Sequence, residues 1–275
     1  MAVRGVTVAT VPGPGAAGPA AVHIGPPAAR LRHAEHVMGT VFSFDIPAAA
    51  APVLPAVVSW LHWADATFST YREDSDVSRF GRGELTLAQS APELAEVIAG
   101  CVVIRDRSNG YFTDWPGGRF DPSGLVKGRA VEHAAAMLSA GGWTSHSVNG
   151  AGDLQCTGEP EPGQPWRIGV AHPLRPSALA VVVTGRDIAV ATSGTAERGA
   201  HIINPHTGQP ATDLASVTVV GPRAGTADAY ATAAFAMGPA ARDWVESLDG
   251  YEALGIHPDG AAWRTSGFAA YTTAG

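Results

Sequence analysis

The second half of the chain is dominated by short apolar segments separated by turn residues. Between residues 143 and 221 five candidate strands can be read: WTSHSVNG, WRIGVAH, ALAVVVT, DIAVATS and ASVTVVG. Short runs rich in β-branched residues and bounded by Gly, Pro, Asn or Asp are typical of strands. Strands clustered in this way, with helices before and after them, predict an α+β protein built on a mixed or largely antiparallel sheet flanked by helices.

Helical periodicity accounts for much of the first half. Residues 55–68 place apolar side chains at helical spacing. A second helix is expected to begin at a capping box of Ser90 and Glu93, with Pro92 in its first turn, and to end near residue 109. Further helices are expected over about residues 125–138, 226–237 and 241–248, and HVMGTVFSFDI at 36–46 reads as one strand.

The chain ends and the overall composition limit the classes of protein. We expect residues 1–33 to form a flexible tail. No linker interrupts the pattern after them, so we expect one domain over residues 34–275. The net charge of -7, without a basic stripe, argues against a nucleic-acid partner. No apolar run approaches the ~18 residues of a membrane helix. The tail lacks the long apolar centre of a signal peptide and a lipoprotein cysteine, which favours a cytoplasmic protein.

Residues 121–134, DPSGLVKGRAVEHA, carry a possible anion site. Ser123 and Gly124 at a helix entrance let backbone N–H groups approach an anion, and Lys127 adds a cation one turn later. Of the 18 basic residues, Lys127 is the single lysine. The alternative is that Asp121 only caps the helix, which is a common pattern.

Two later segments carry other candidate groups. His201 follows a Ser/Gly/Thr-rich loop in what reads as an apolar strand, where a fixed imidazole is suited to accept a proton, although a lone histidine is more often structural. Asp228 and Thr232 are four residues apart and share a helix face. Their oxygens suit Mg²⁺ and do not suit zinc. The alternative is an acidic residue favoured by the helix dipole.

Taken in order, these segments resemble the ApbE family of FAD:protein FMN transferases. Each match is weak alone, but they span most of the chain. The matching segments are residues 36–40 (M-G-T), 68–75 (S-T-Y-x-x-x-S), 121–134 (D-x-G-G-x-x-K-G-x-A-x-D), 147–158 (V-N-x-G-G-D), 192–194 with 201–211 (T-S-G and H-I-I-D-P-x-T-G), and 227–238 (A-D-A-x-A-T).

The resemblance implies a fold, a reaction and a set of roles. The fold is a single ApbE-like (T-fold-like) domain. The reaction is Mg²⁺-dependent transfer of FMN from FAD to a Ser or Thr hydroxyl of an acceptor protein, with release of AMP. The family's roles imply catalysis by His201 and Lys127. The implied FAD contacts are Met38, Tyr71, Asp121, Lys127 and Ile202. The implied magnesium ligands are Asp228, Thr232 and the carbonyl of Gly124.

Some positions differ from the family pattern, and they leave alternatives open. Asn204 replaces an Asp, His206 a common basic residue, Ser123 a Gly, and Arg129 an aromatic residue. The alternatives are a Mg²⁺-dependent FAD pyrophosphatase and a non-catalytic FAD-binding protein. The surface for the isoalloxazine ring is expected at three residues near the compact loop: Phe112, Thr113 and Trp115.

Overall fold

The structure, a computed structural model, describes residues 29–196, 199 and 201–272. The helices are α1 (Leu54–Phe68), α2 (Asp76–Gly81), α3 (Pro92–Arg107), α4 (Ser123–Ala140), α5 (Ala224–Met237) and α6 (Ala241–Glu246). The strands are β1 (Arg30–Val37), β2 (Thr40–Pro47), β3 (His146–Gly150), β4 (Asp153–Thr157), β5 (Trp166–Ala171), β6 (Leu179–Gly185), β7 (Ile188–Gly194), β8 (Ile203–Asn204), β9 (Gln209–Pro210), β10 (Ser216–Gly221), β11 (Glu252–Ile256) and β12 (Ala262–Arg264).

An eight-stranded sheet forms the centre of the fold, in the order β1-β2-β3-β4-β7-β10-β11-β12. All of its neighbouring strands are antiparallel. The α+β prediction is therefore confirmed. The pairs Phe42↔Gly150 and Leu154↔Val190 place the β1–β2 turn, the start of β4 and the end of β7 at one end of the sheet.

The segment predicted as one strand over residues 36–46 is a hairpin. Met38 and Gly39 form a two-residue turn with φ angles of 55° and 68°, and Val37 pairs with Thr40 across it. Positive φ at both central residues is the signature of a type I′ turn, whose twist matches that of the flanking strands. A methionine rarely takes this conformation, so the turn could not be predicted from the residue types.

The sheet begins inside the segment that the sequence assigned to the tail. Residues 30–33 belong to β1 and pair with residues 44–47 of β2, so the tail prediction is wrong for these four residues. Residues 1–28 lie outside the described part of the chain. In the described ranges, no helix is both long and apolar enough to cross a membrane.

Helix α3 begins without the predicted capping box. Ala91 precedes its first turn and provides no side-chain cap, and Ser90 Oγ donates to the carbonyl of Leu87 instead. Pro92 at the first position tolerates this arrangement, because proline has no N–H to satisfy. The prediction of the helix is confirmed, and that of its capping residues is wrong.

His146, the first residue of β3, links protein stability to pH. Its side chain is fully buried, with Nε2 3.1 Å from Ser139 Oγ. Burial, assisted by the charge of Arg30, lowers its pKa from 6.5 to about 4. Between pH 6.5 and about pH 4 the unfolded chain therefore binds a proton at His146 that the folded chain does not bind. The free energy of unfolding consequently decreases as the pH falls through this range.

We expect His146 to remove about 3 kcal/mol of unfolding free energy between pH 7 and pH 4, since one pKa unit is worth about 1.4 kcal/mol. Urea unfolding of the wild type and of His146→Gln at both pH values measures this contribution, and the variant should lose less stability on acidification. The partly buried His257→Gln serves as a control and should keep the wild-type difference. Equal losses in the wild type and in His146→Gln would contradict the assignment.

Candidate functional site

Helices α4 and α5 pack antiparallel and bring three successive turns of each into contact. A Cβ built on Gly124 would lie 3.7 Å from Thr232 Cγ2, and one on Gly128 would lie 2.7 Å from Asp228 Cβ. One turn further, Glu132 accepts a hydrogen bond from the N–H of Gly225 at 3.1 Å. The predicted shared face of Asp228 and Thr232 is therefore turned toward α4.

The carboxylate of Asp228 does not cap its own helix. The first N–H groups of α5 bond to other side chains: Ala224 donates to Gln155 at 2.9 Å and Gly225 to Glu132. Asp228, which is 5% exposed, instead accepts a hydrogen bond from the N–H of Gly128 in α4 at 3.0 Å. The N–H groups of Ala224 and Gly225 therefore do not depend on Asp228 for a hydrogen-bond acceptor.

Lys127 lies between two buried carboxylates. Its ammonium contacts Asp153 Oδ2, and Asp228 Oδ2 is 3.7 Å from Nζ. The lysine side chain remains 27% exposed, while Asp153 is 1% exposed. One face of the cation is thus fixed by the protein, and the other is accessible to an anionic ligand.

A hard-cation site fits the oxygens beside this cluster. Thr232 Oγ1 lies 3.3 Å from Ser193 Oγ at the end of β7, and Gly124 packs against Thr232. Within the described ranges, no three His, Cys, Asp or Glu side chains converge as metal ligands. A metal here would depend on one carboxylate, with hydroxyl and carbonyl oxygens, a donor set that suits Mg²⁺.

Asp121 lies at the entrance of α4. Its Oδ1 accepts a hydrogen bond from the N–H of Ser123, the first residue of the helix, at 2.9 Å. Its own N–H donates to the carbonyl of Asp114 at 2.8 Å. Asp121 thus bonds to the first N–H of α4 from the position before Pro122, the N-cap residue, and its carboxylate remains half-buried. The exposed side chain of Ser123 explains why the glycine-to-serine difference is tolerated.

Met38 and Tyr71 are displayed by turns. Met38 is partly buried at the β1–β2 turn, at the same end of the sheet as Asp153. Tyr71 is 93% exposed. Its loop is closed by Ser75, which donates to the carbonyl of Ser69 at 2.7 Å and accepts from the N–H of Ser78 at 3.0 Å. A large aromatic ring held in water by a fixed loop is available to a ligand.

The residues expected to contact the isoalloxazine ring differ in exposure. Phe112 is 2% exposed, and its ring lies 3.1 Å from a Cβ built on Gly124. It therefore belongs to the core and offers no face to a ligand, so that expectation is wrong. Thr113 is partly buried, its Oγ1 accepting from the N–H of Trp115 at 3.0 Å. Trp115 is 44% exposed.

The structure places His201 differently from the sequence expectation. The residue is exposed and precedes β8, and its Nδ1 lies 3.1 Å from the carbonyl of Gly199. The expected placement in an apolar strand is therefore wrong. Within the described residues, His201 forms no hydrogen bond or ion pair with the Lys127 cluster. Ile202 is partly buried, and its carbonyl accepts from the N–H of Ala211 at 2.9 Å.

Two of the positions that differ from the family pattern have structural roles in the β8–β9 turn. Asn204 Oδ1 accepts from the N–H of His206 at 2.9 Å, a bond that needs only an oxygen and is equally open to Asp. His206 Nε2 lies 2.9 Å from the carbonyl of Asn109, and its ring contacts Tyr111 edge-on at 4.4 Å. His206 thus ties the hairpin after His201 to the turn after α3.

The sequence identified most of this cluster but missed Asp153 and Ser193. Both lie in segments that carried the resemblance, SVNGAGD and TSG. No local signal distinguished them, because each acts through a residue far away in the chain. Arg129, which stands where the family pattern has an aromatic residue, forms a 3.0 Å ion pair with Glu96 on α3.

Comparison with known proteins supports this set of segments. The sequence model described as "ApbE family" matches residues 38–115 and 113–255. A Klebsiella pneumoniae protein named FAD:protein FMN transferase is 31% identical over 155 residues, 53% of this chain and 44% of its own length. Its Rhodobacter capsulatus namesake is 27% identical over 220 residues, 76% of this chain and 39% of its own length. The matches thus cover less than half of either relative.

Solved structures share the fold. The Vibrio cholerae flavin transferase ApbE superposes with a TM-score of 0.77 at 22% identity, covering 89% of this chain and 100% of that one. The Thermotoga maritima ApbE protein gives a TM-score of 0.81 at 22% identity, covering 90% of this chain and 100% of that one.

Proposed function

This chain belongs to the ApbE family, and on that premise we propose that it is a Mg²⁺-dependent FAD:protein FMN transferase. Its substrate is FAD, and its partner is an acceptor protein with a Ser or Thr hydroxyl at the modification site. The products are the acceptor carrying FMN through a phosphoester bond, and AMP.

The observation that carries the proposal is the Lys127 cluster at the α4–α5 contact. A lysine fixed by one buried carboxylate lies 3.7 Å from a second, Asp228. Next to it is the hydroxyl of Thr232, and α4 begins with small residues at 123 and 124. Cations and helix N-termini are the groups that bind phosphate in proteins. We assign Asp228, Thr232 and the Gly124 carbonyl as the magnesium ligands.

Each of the candidate residues then has a separate role in the proposed transfer. Bound magnesium would neutralise charge on the FAD pyrophosphate. Lys127 contacts the same phosphates, while Met38, Tyr71, Asp121 and Ile202 orient the flavin and adenosine parts. The acceptor oxygen attacks the FMN phosphorus in line, the bond to the AMP phosphate breaks, and AMP leaves. His201 accepts the hydroxyl proton. Positioning and charge stabilisation provide most of the rate in such transfers.

Incubation of the purified chain with FAD, Mg²⁺ and candidate acceptors tests the proposal. We expect in-gel flavin fluorescence on one acceptor, a mass increase equal to one FMN phosphoester, and an equal amount of AMP. Omission of Mg²⁺ or addition of a chelator should abolish all three. His201→Ala should lower the rate by about 10²- to 10⁴-fold, the usual range for general base catalysis.

Two other outcomes would identify the alternatives. Free FMN and AMP formed without any acceptor would indicate an FAD pyrophosphatase. FAD binding without turnover, unaffected by His201→Ala, would indicate a flavin-binding protein. His257→Ala, at a partly buried residue that directly follows β11, serves as the control for loss of a histidine.

A further inference from the structure

The carboxylate of Asp153 is buried at the start of β4 and has an unusual set of partners. The residue is 1% exposed. Oδ2 forms an ion pair with the ammonium of Lys127, and within the described residues neither oxygen accepts a hydrogen bond. The β3–β4 turn fixes its backbone, since Asn149 Oδ1 accepts from the N–H of Gly152 at 2.8 Å. A buried carboxylate requires a compensating charge, and here that charge comes from Lys127.

Lys127 is shared between Asp153 and Asp228. The ammonium contacts Asp153 and is 3.7 Å from Asp228 Oδ2. The three side chains therefore form a cluster of two negative charges and one positive charge. If the Asp153 charge is removed, Asp228 becomes the nearest carboxylate to the lysine. The ammonium and a metal ion would then compete for the same oxygen.

We propose that Asp153 is a positioning residue that holds Lys127 and so limits how far the lysine neutralises Asp228, the proposed metal ligand. The inference rests on the proposed function, because it takes Asp228 as a magnesium ligand. Because Asp153 balances the charge of Lys127, the three side chains together keep one net negative charge for a divalent cation. Without Asp153, the pair that remains is Lys127–Asp228, and its net charge is zero.

The proposal predicts an order of metal affinities that follows the net charge of the three side chains. Asp153→Asn should weaken binding by about 10- to 100-fold, the usual effect of losing a residue that supports a metal ligand. Lys127→Met should strengthen binding. The double variant has the same net charge as the wild type and should bind within a few-fold of it. Restoration by the second substitution is the distinctive result, because a purely structural role for Asp153 predicts further loss.

Binding of Mn²⁺ without FAD measures these affinities apart from activity. Mn²⁺ prefers the same oxygen ligands as Mg²⁺. EPR measures the concentration of unbound Mn²⁺ at each total concentration of the ion. Asp228→Asn should abolish binding. The control is Asp45→Asn, which removes the carboxylate paired with Arg30 on β2; it should leave the affinity unchanged. Circular dichroism at each variant's working temperature establishes that the protein is folded.

The outcomes separate this inference from the proposed function. If the wild type binds Mn²⁺ through Asp228 but Asp153→Asn binds equally well, the positioning role is wrong and the metal assignment stands. If the wild type does not bind Mn²⁺, or Asp228→Asn does not weaken binding, both fail. If Asp153→Asn does not fold, Lys127→Met decides the matter, because unchanged or weaker binding in that variant overturns the proposal.

Discussion

Asp228→Ala is expected to lower the rate of Mg²⁺-dependent FMN transfer by about 10³-fold. A bound metal contributes several kcal/mol to stabilisation of the transition state, and each 1.4 kcal/mol is about tenfold in rate. Asp228 is the one carboxylate among the proposed ligands, so its loss removes the strongest attraction for the ion. The rate is measured by AMP release and acceptor fluorescence over a range of Mg²⁺ concentrations.

Asp228 also accepts a hydrogen bond from the N–H of Gly128, so a second variant separates the two roles. Asp228→Asn keeps an oxygen acceptor for that bond but lacks the negative charge. It should retain the stability of the wild type and still lose most of the activity. Asp243→Ala, on the exposed face of α6, should change neither. Full Mg²⁺-dependent activity in Asp228→Ala would overturn the metal assignment.

Gly128→Ala is expected to destabilise the protein by about 2 kcal/mol and to lower activity by about 10²-fold. The new Cβ would lie 2.6 Å from the carbonyl oxygen of Ala224 and 2.7 Å from Asp228 Cβ, so the two helices must separate. Overpacking costs about 1–3 kcal/mol. Displacing a catalytic group by about 1 Å costs about 10²-fold in rate. Urea unfolding and the transfer assay measure the two effects.

Gly100→Ala in α3 is a matched control for Gly128→Ala. A Cβ at position 100 would approach Leu125 Cδ2 at 2.8 Å and Arg129 Nη1 at 3.7 Å, which are ends of flexible side chains that can move. Alanine also gains about 1 kcal/mol of helix propensity over glycine. We expect Gly100→Ala to be nearly neutral in both assays. Similar losses in the two variants would show that the α4–α5 contact has no special importance.

The sequence predicted the helices better than the edges of the sheet. Helices α1 and α4 have apolar side chains at a strong helical period, and their structure is decided by neighbours within a few residues. Strand β1 was assigned partly to the tail because it is an edge strand. Its exposed Arg32 and His36 alternate with partly buried residues, so it shows little apolar signal. The strand order depends on pairings between distant segments, which local patterns do not encode.

The same difference applies to the site. Residues related by local spacing were predicted, and residues related by contacts between distant segments were not. Asp228 and Thr232 were predicted to share a face because helix geometry alone ensures it. Asp153 was missed, because its importance comes from the contact with Lys127, which lies in a different element. His201 was predicted to lie in a strand, but β8 begins at Ile203, later than the apolar residues of this segment indicated. Pairing with β9, and not local hydrophobicity, sets where that strand begins.

The bond between Gly128 and Asp228 joins residues that are 100 positions apart. During synthesis, a growing chain acquires Lys127 long before Asp228 leaves the ribosome. Contacts of such large sequence separation form late in folding, because a long loop must close first. A nascent or truncated chain therefore has the lysine without the carboxylate opposite it. Under the proposed function, FMN transfer would therefore begin only after both helices have folded against each other.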